Sequence, residues 1–146
     1  MSQAETKEIV GRYLQALRNR DLPTFMAVVA EDAEYWIAGD HPVAGTWRGH
    51  GKILQGFVMP MSTLFDPKAP YSVEVTNMIA EDDRAMVECT TSSTTAKGSP
   101  YRIAICAVFD IAGGKITRMR EYFDTKYFEQ TLFGAAPARP ASSAPA

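Results

Sequence analysis

"GGKITRMREYFDT", residues 113–125, decides how this chain is read. Two glycines open the stretch, Ile116, Met119 and Phe123 stand among charges, and Asp124-Thr125 interrupts it before a helical pattern resumes. The spacing is that of a strand, in which successive side chains point to opposite faces. Thr117, Met119, Glu121 and Phe123 share one face, and Arg118, Arg120, Tyr122 and Asp124 share the other. The first face is the more apolar and is expected to point inward, carrying Glu121 with it. Two readings stay open: Glu121 pairs with Arg102 or Arg120 on a solvated face, or it looks into a cavity and does chemistry.

Three further strands are predicted upstream, in "YSVEVTNMIA", "RAMVECTTSSTT" and "YRIAICAVFDI", divided by "EDD", "AKGS" and "AGG". Turns this short make neighbours antiparallel. The N-terminal half is helical. Ser2 followed by Glu5 is a capping box, and Ile9, Val10, Tyr13, Leu14 and Leu17 recur at helical spacing. Asp21 can cap a second helix with Pro23 in its first turn, "AEYWIAG" reads as a strand, and "DHPVAGTWRGHG" as a loop. "KILQGFVMPMSTLF" is a third helix, bent or ended near Pro60. The expected fold class is α+β: a curved antiparallel sheet wrapped around three N-terminal helices, leaving a conical cavity between them. One domain covers 1–133; the Ala, Pro and Ser tail at 134–146 is expected to be disordered.

A length of 146 residues suits a single domain, and a net charge of −2 carries no footprint for nucleic acid or an anionic membrane. "MSQAETKEIV" lacks the charged start and apolar run of a secretory leader, so a cytoplasmic location is expected. No cofactor or metal is expected, because neither the histidines nor Cys89 and Cys106 have ligand spacing, and "GTWRGHG" is no phosphate loop. A hairpin turning at Lys97-Gly98 would set the two cysteines opposite each other, with reduced thiols preferred in a cytosol.

The same turn would place Glu88, Thr90, Ser92 and Thr94 beside the inward Ile103, Ile105, Ala107 and Phe109. That gives a pocket greasy at one end and hydrogen-bonding at the other. A carboxylate in such a pocket has a raised pKa and can exchange protons near neutral pH. Glu121 is therefore the candidate acid or base, and Glu88 a second carboxylate that would raise its partner's pKa. Tyr35, which shares a strand face with Ile37, is a phenol donor for a developing oxyanion. Thr90 and Ser92 would orient substrate or water, and His41 in the Gly/Pro loop is an acid–base candidate at the rim.

The order of elements, the loop "AGTWRG" with Trp47, and the ending "GGKITRMREYFDT" resemble the nuclear-transport-factor-2-like superfamily, in its SnoaL-like and limonene-epoxide-hydrolase-like branches. The resemblance runs from about Glu5 to Phe133. Limonene-epoxide hydrolases activate water with an Asp–Arg–Asp set helped by a Tyr and an Asn. Residue by residue, one Asp falls on Glu121, the Tyr on Tyr35, the Asn on Ile37, and the Arg-x-Asp pair on Glu88-x-Thr90. The resemblance also implies apolar pocket walls. From the helices and the C-terminal segment these are Leu14, Leu17, Met61, Leu64 and Phe128. From the strands they are Ile103, Ile105, Met119 and Phe123, with Ile37 and Trp47 also counted toward the substrate. It further implies a homodimer formed through the outer sheet face, here Val87, Cys89, Ala104, Cys106 and Val108.

These readings lead to a cofactor-independent isomerase, cyclase or hydrolase acting on a small apolar substrate by acid–base chemistry. The alternatives are a non-catalytic small-ligand binder and an epoxide hydrolase with an altered water site.

Overall fold

The computed structural model describes residues 2–134. The tail expected to be disordered lies outside the described residues, apart from Gly134. Helix α1 (Gln3–Asn19) starts where Ser2 Oγ accepts from the backbone N–H of Glu5, and ends at Arg20 in a left-handed conformation. Its buried face carries Val10, Tyr13, Leu14 and Ala16, the helical stripe expected from the sequence. Asp21 caps α2 (Leu22–Val28) by accepting from Thr24 N–H, with Pro23 tolerated in the first turn. Strands β1 (Val29–Ile37) and β2 (Gly45–Arg48) follow. β2 is a correction, since it lies in a stretch read as loop. The expected third helix comes in three pieces: α3 (Gly49–Lys52), a π-helical turn (Ile53–Val58) and α4 (Met59–Ser62), with Pro60 in the first turn of the last.

The meander is as expected: β3 (Ser72–Glu81), β4 (Arg84–Thr94), β5 (Pro100–Ala112) and β6 (Lys115–Phe123). Asp124 then caps α5 (Thr125–Phe133), accepting from the N–H groups of Lys126 and Tyr127 at 3.1 Å each. The six strands form one curved, unclosed sheet in the order β2-β1-β6-β5-β4-β3. β1 runs parallel to β6, whereas every other neighbouring pair is antiparallel. The parallel pair is possible because β1 and β6 are distant in sequence, with the rest of the sheet between them.

The concave face takes α1 and α2, and the main core forms there from Val10, Val28, Val29, Val87, Phe109 and Met119. A smaller cluster of Val43, Phe65, Tyr101, Ile103, Phe128 and Leu132 lies under α5 and the loop after β1. Each such side chain contributes roughly 1.5–3 kcal/mol by leaving water. A hollow remains where the two clusters meet.

The β4–β5 hairpin corrects the expected register. Five residues, Thr95 to Ser99, form the loop, so Ile103 faces Thr91, Ile105 faces Cys89 and Ala107 faces Val87. The loop is held by Thr95 N–H to Ser99 O (2.8 Å) and Ser99 N–H to Thr95 Oγ1 (3.0 Å). A slip of one residue turns a whole strand over. Ala85, Val87, Cys89 and Thr91 are therefore buried on the concave face, while Glu88, Thr90 and Ser92 face outward. Cys89 and Cys106 lie on opposite faces and are both free thiols. Val87 and Cys89 accordingly leave the expected outer-face set, and Met86 joins Ala104, Cys106 and Val108 there. Among the described residues no helix is long and apolar enough to cross a membrane.

Candidate functional site

Glu121 occupies the middle of the concave face. It belongs to a cross-strand row that runs from Ile37 on β1 through Glu121 on β6 and Ala107 on β5 to Val87 on β4. Its own carbonyl accepts from Ala38 N–H at 3.1 Å, which ties the end of β1 to the catalytic candidate's backbone. The side chain lines a cavity of about 420 Å³. Glu121 is half-buried by exposure, but the surface it keeps faces this hollow, and burial is the dominant influence on its carboxyl group.

Tyr35 projects from β1 into the same hollow and donates its phenolic hydrogen to Glu121 Oε2. The Tyr35 ring stacks edge-on against Phe57, with centroids 5.0 Å apart. Tyr13, from α1, is wedged between Phe25 and Phe109 at centroid distances of 5.6 and 5.4 Å and lines the same hollow. Tyr13, Tyr35 and Glu121 thus present polar groups within an otherwise apolar wall. Burial raises the Glu121 pKa above the usual carboxylate value, and the Tyr35 hydrogen bond pulls it part of the way back. Tyr35 and Tyr13 are pushed well above the usual phenol value, first by burial and then by the negative charge of Glu121. Both phenols therefore stay neutral and able to donate.

Tyr71, Thr91 and Tyr101 also line the hollow. Burial, with Glu121 adding to it, pushes the Tyr71 phenol up to about 12 and raises Tyr101 as well. The Cys89 thiol is pushed up to about 11 by the same two causes and is protonated at neutral pH. The other charged residues lining the cavity are Arg20 and Asp21, at the junction of α1 and α2. Among the described residues no group of three or more His, Cys, Asp and Glu is placed to hold a metal ion.

Among the apolar walls expected from the sequence, Leu14, Leu17, Ile37 and Met61 line the cavity, as do Ile103, Ile105, Phe123 and Phe128. Apart from Glu121 and Tyr35, the other expected site residues do not. Glu88 is exposed on the outer face, where Asn77 Nδ2 donates to it at 3.1 Å, so there is no carboxylate pair. Thr90 and Ser92 are turned outward by the same register. His41 clamps the loop after β1: Val43 N–H donates to Nδ1 at 3.4 Å, which leaves Nε2–H to donate to Ala38 O at 2.7 Å. Its ring packs on Phe128 (4.8 Å) rather than lining the cavity. Trp47 donates to Val43 O (3.0 Å) and covers Gly56. Leu64 packs into the smaller core cluster, and Met119 is fully buried within the main one.

Sequence reasoning missed Tyr13, Tyr71, Thr91 and Tyr101. Tyr13 had a usable signal, because it shares a helix face with Leu14 and Leu17, both of which were assigned to the wall. Thr91 required the correct loop length. The two inward positions on this part of β4 are Cys89 and Thr91 in place of Glu88-x-Thr90, so the observed register supplies neither an arginine nor a second acid.

The family model for the SnoaL-like domain matches residues 10–119. Among solved structures, an NTF2-like protein from Burkholderia xenovorans LB400 superposes with a TM-score of 0.76 at 26% identity, covering 90% of this chain and 98% of that one. TerC, co-crystallised with polyporic acid, gives 0.76 at 22% identity over 90% and 99% of the two chains. An LEH-like epoxide hydrolase from M. tuberculosis gives 0.69 at 23% identity over 90% and 92%. The last two establish a shared fold.

Proposed function

The chain belongs to the SnoaL-like domain family, and from that premise we propose that it is a cofactor-independent enzyme transferring protons on a small apolar carbonyl compound. One observation carries this reading: a carboxylate, hydrogen-bonded by a phenol, faces an apolar cavity of about 420 Å³. In the proposed cycle ionised Glu121 removes a proton from the carbon beside the substrate carbonyl. The C–H electron pair passes into an enolate, whose oxygen accepts a hydrogen bond from Tyr13. Tyr35, whose own proton is engaged by Glu121, holds the carboxylate in place. Glu121 then returns the proton at a different carbon, which isomerises the substrate; alternatively the enolate carbon attacks a second carbonyl within it, which closes a ring, and the alkoxide so formed takes the proton back from Glu121. Positioned acid–base groups of this kind contribute about 10²–10⁴-fold.

Epoxide opening is supported less well. The LEH-like hydrolase shares the fold, but this chain has Cys89 and Thr91 facing the hollow on β4 and Ile37 on β1. None of these supplies the charged pair that would orient and deprotonate an attacking water.

The test is α-hydrogen exchange of small cyclic ketones in heavy water, followed by NMR. Wild-type protein should speed exchange, and Glu121→Gln should lower the rate by about 100-fold or more. Equal rates would remove Glu121 from the mechanism. Saturable binding with no exchange would favour a ligand-binding role, and diol formation from an epoxide panel would favour hydrolysis.

A further inference from the structure

The cavity holds a second group of hydroxyls that the proton-transfer cycle does not use. Thr91 on β4, Tyr71 just before β3 and Tyr101 at the start of β5 all line it, and Thr91 and Tyr101 are buried. Thr91 pairs with Val73 on β3, and Tyr71 stands two residues before Val73, so the register brings both to the same part of the cavity wall. Buried hydroxyls are costly unless they are partnered, so a cluster facing an apolar hollow is suited to a ligand oxygen.

The register fixes where this cluster stands relative to Glu121. Glu121 faces Ala107, and Ala107 faces Val87. Thr91 lies four residues further along β4, roughly 13 Å, and two strands across, roughly 10 Å, from Glu121. Because the sheet curves, the side chains converge and the functional groups stand closer than their backbones. Between the two polar groups the wall is apolar, formed by Ile103, Ile105 and Phe123 with the protonated Cys89. Arg20 is already engaged at the rim, where Nη1 donates to Pro67 O at 3.2 Å and the guanidinium lies 6.0 Å from the Tyr71 ring centroid.

We propose that Thr91 and Tyr71 are specificity-determining residues that select elongated, uncharged substrates carrying a hydroxyl or carbonyl oxygen at the end remote from the reacting carbon. The assignment of the reacting end rests on the proton-transfer reading. The hydrogen-bonding end rests on the cavity alone. A rigid skeleton that spans the hollow can meet both, whereas a single small ring meets one of them. An analogue without the remote oxygen leaves the hydroxyls facing a hydrocarbon, and sites built to hydrogen-bond an oxygen reject such analogues strongly.

The experiment compares two probes by titration calorimetry: a naphthyl methyl ketone, and the same ketone with a hydroxyl on the opposite ring. Wild-type protein should bind the hydroxylated probe about tenfold more tightly or better. Thr91→Val, which keeps the side-chain shape, and Tyr71→Phe should each cut that preference, and together bring it to within about twofold. The far-ultraviolet circular dichroism and urea midpoint of each variant report that it folds, and its affinity for the plain ketone should fall by less than its affinity for the hydroxylated one. Glu121→Gln should keep the full preference, so this test can fail while Glu121-dependent exchange persists, and the reverse. Equal affinities for the two probes in wild type, no saturable binding of the hydroxylated one, or variants that weaken both probes equally would overturn the proposal.

Discussion

Glu121 holds its proton more tightly in the folded chain than in the unfolded one, because burial disfavours its charge. The consequence for stability has a definite sign. Below the unfolded carboxyl's pKa both states are protonated and nothing is lost. As pH rises from there to the folded pKa, the unfolded chain releases its proton first, so stability falls across that window and then levels off. Each unit of displacement is worth about 1.4 kcal/mol. Glu121→Gln can still accept from Tyr35 but cannot ionise. Its stability relative to wild type should therefore climb as pH rises through and above the usual carboxylate range, as measured by urea denaturation at each pH. A difference that stays flat would mean the carboxyl is solvated. At this scale the sequence was informative where strand alternation applied, since period two alone turns Glu121, Tyr35 and Ile37 inward. It was uninformative for His41, whose side chain is captured by Ala38 O and Val43 N–H within a loop that has no periodicity.

The broken third helix belongs to the scale of elements. Its π-helical turn carries Phe57 and Val58 of the cavity wall, and between Trp47 and this turn there is no room for a side chain at Gly56. A Cβ there would stand 2.4 Å from Trp47 Cζ3 and 2.7 Å from Cε3, and the indole is held by its bond to Val43 O. Gly56→Ala should therefore displace the ring or the turn and cost about 1–3 kcal/mol. It should appear as a lower urea midpoint at unchanged slope, together with weaker binding of the naphthyl probes. Stability equal to wild type would mean that the contact relaxes freely. Nothing in "KILQGFVMPMSTLF" announces this contact, because it is made with a strand of a stretch that reads as loop. The β4–β5 hairpin teaches the same lesson. Alternation correctly identified both strands, yet which face of β4 is buried depended on a five-residue loop with Gly98 at φ 90°, and "AKGS" read as a shorter turn. Local pattern gave the strands, and a single residue of loop length decided whether Thr91 or Thr90 belongs to the site.

At the scale of the molecule, the same sheet has a second face that the cavity does not use. A row crosses it from Ile79 on β3 through Met86, Val108 and Arg120 to Trp36 on β1. Arg120 is tied to Asp110 at 3.1 Å, and Trp36 stacks on Tyr122 at 5.2 Å. Ile79 is 54% exposed and Tyr122 45%, large apolar surface for a chain that stands alone in water. We propose that two copies pair through this face by a two-fold contact, which brings the same row from each copy together. Val108 lies near the middle of the row with its side chain on the outer face. Val108→Glu would place a carboxylate against its own symmetry mate in the contact while leaving the concave face untouched. Light scattering at micromolar concentration should give wild type twice the chain mass of 16.0 kDa and the variant the single mass. Binding of the naphthyl probes should be equal in the two, because the residues that line the hollow lie on the concave face, opposite the contact. A wild-type monomer would reject the contact, and a Val108→Glu dimer would move it to another face. Loss of probe binding together with the dimer would mean that the second copy supports the hollow from behind the sheet.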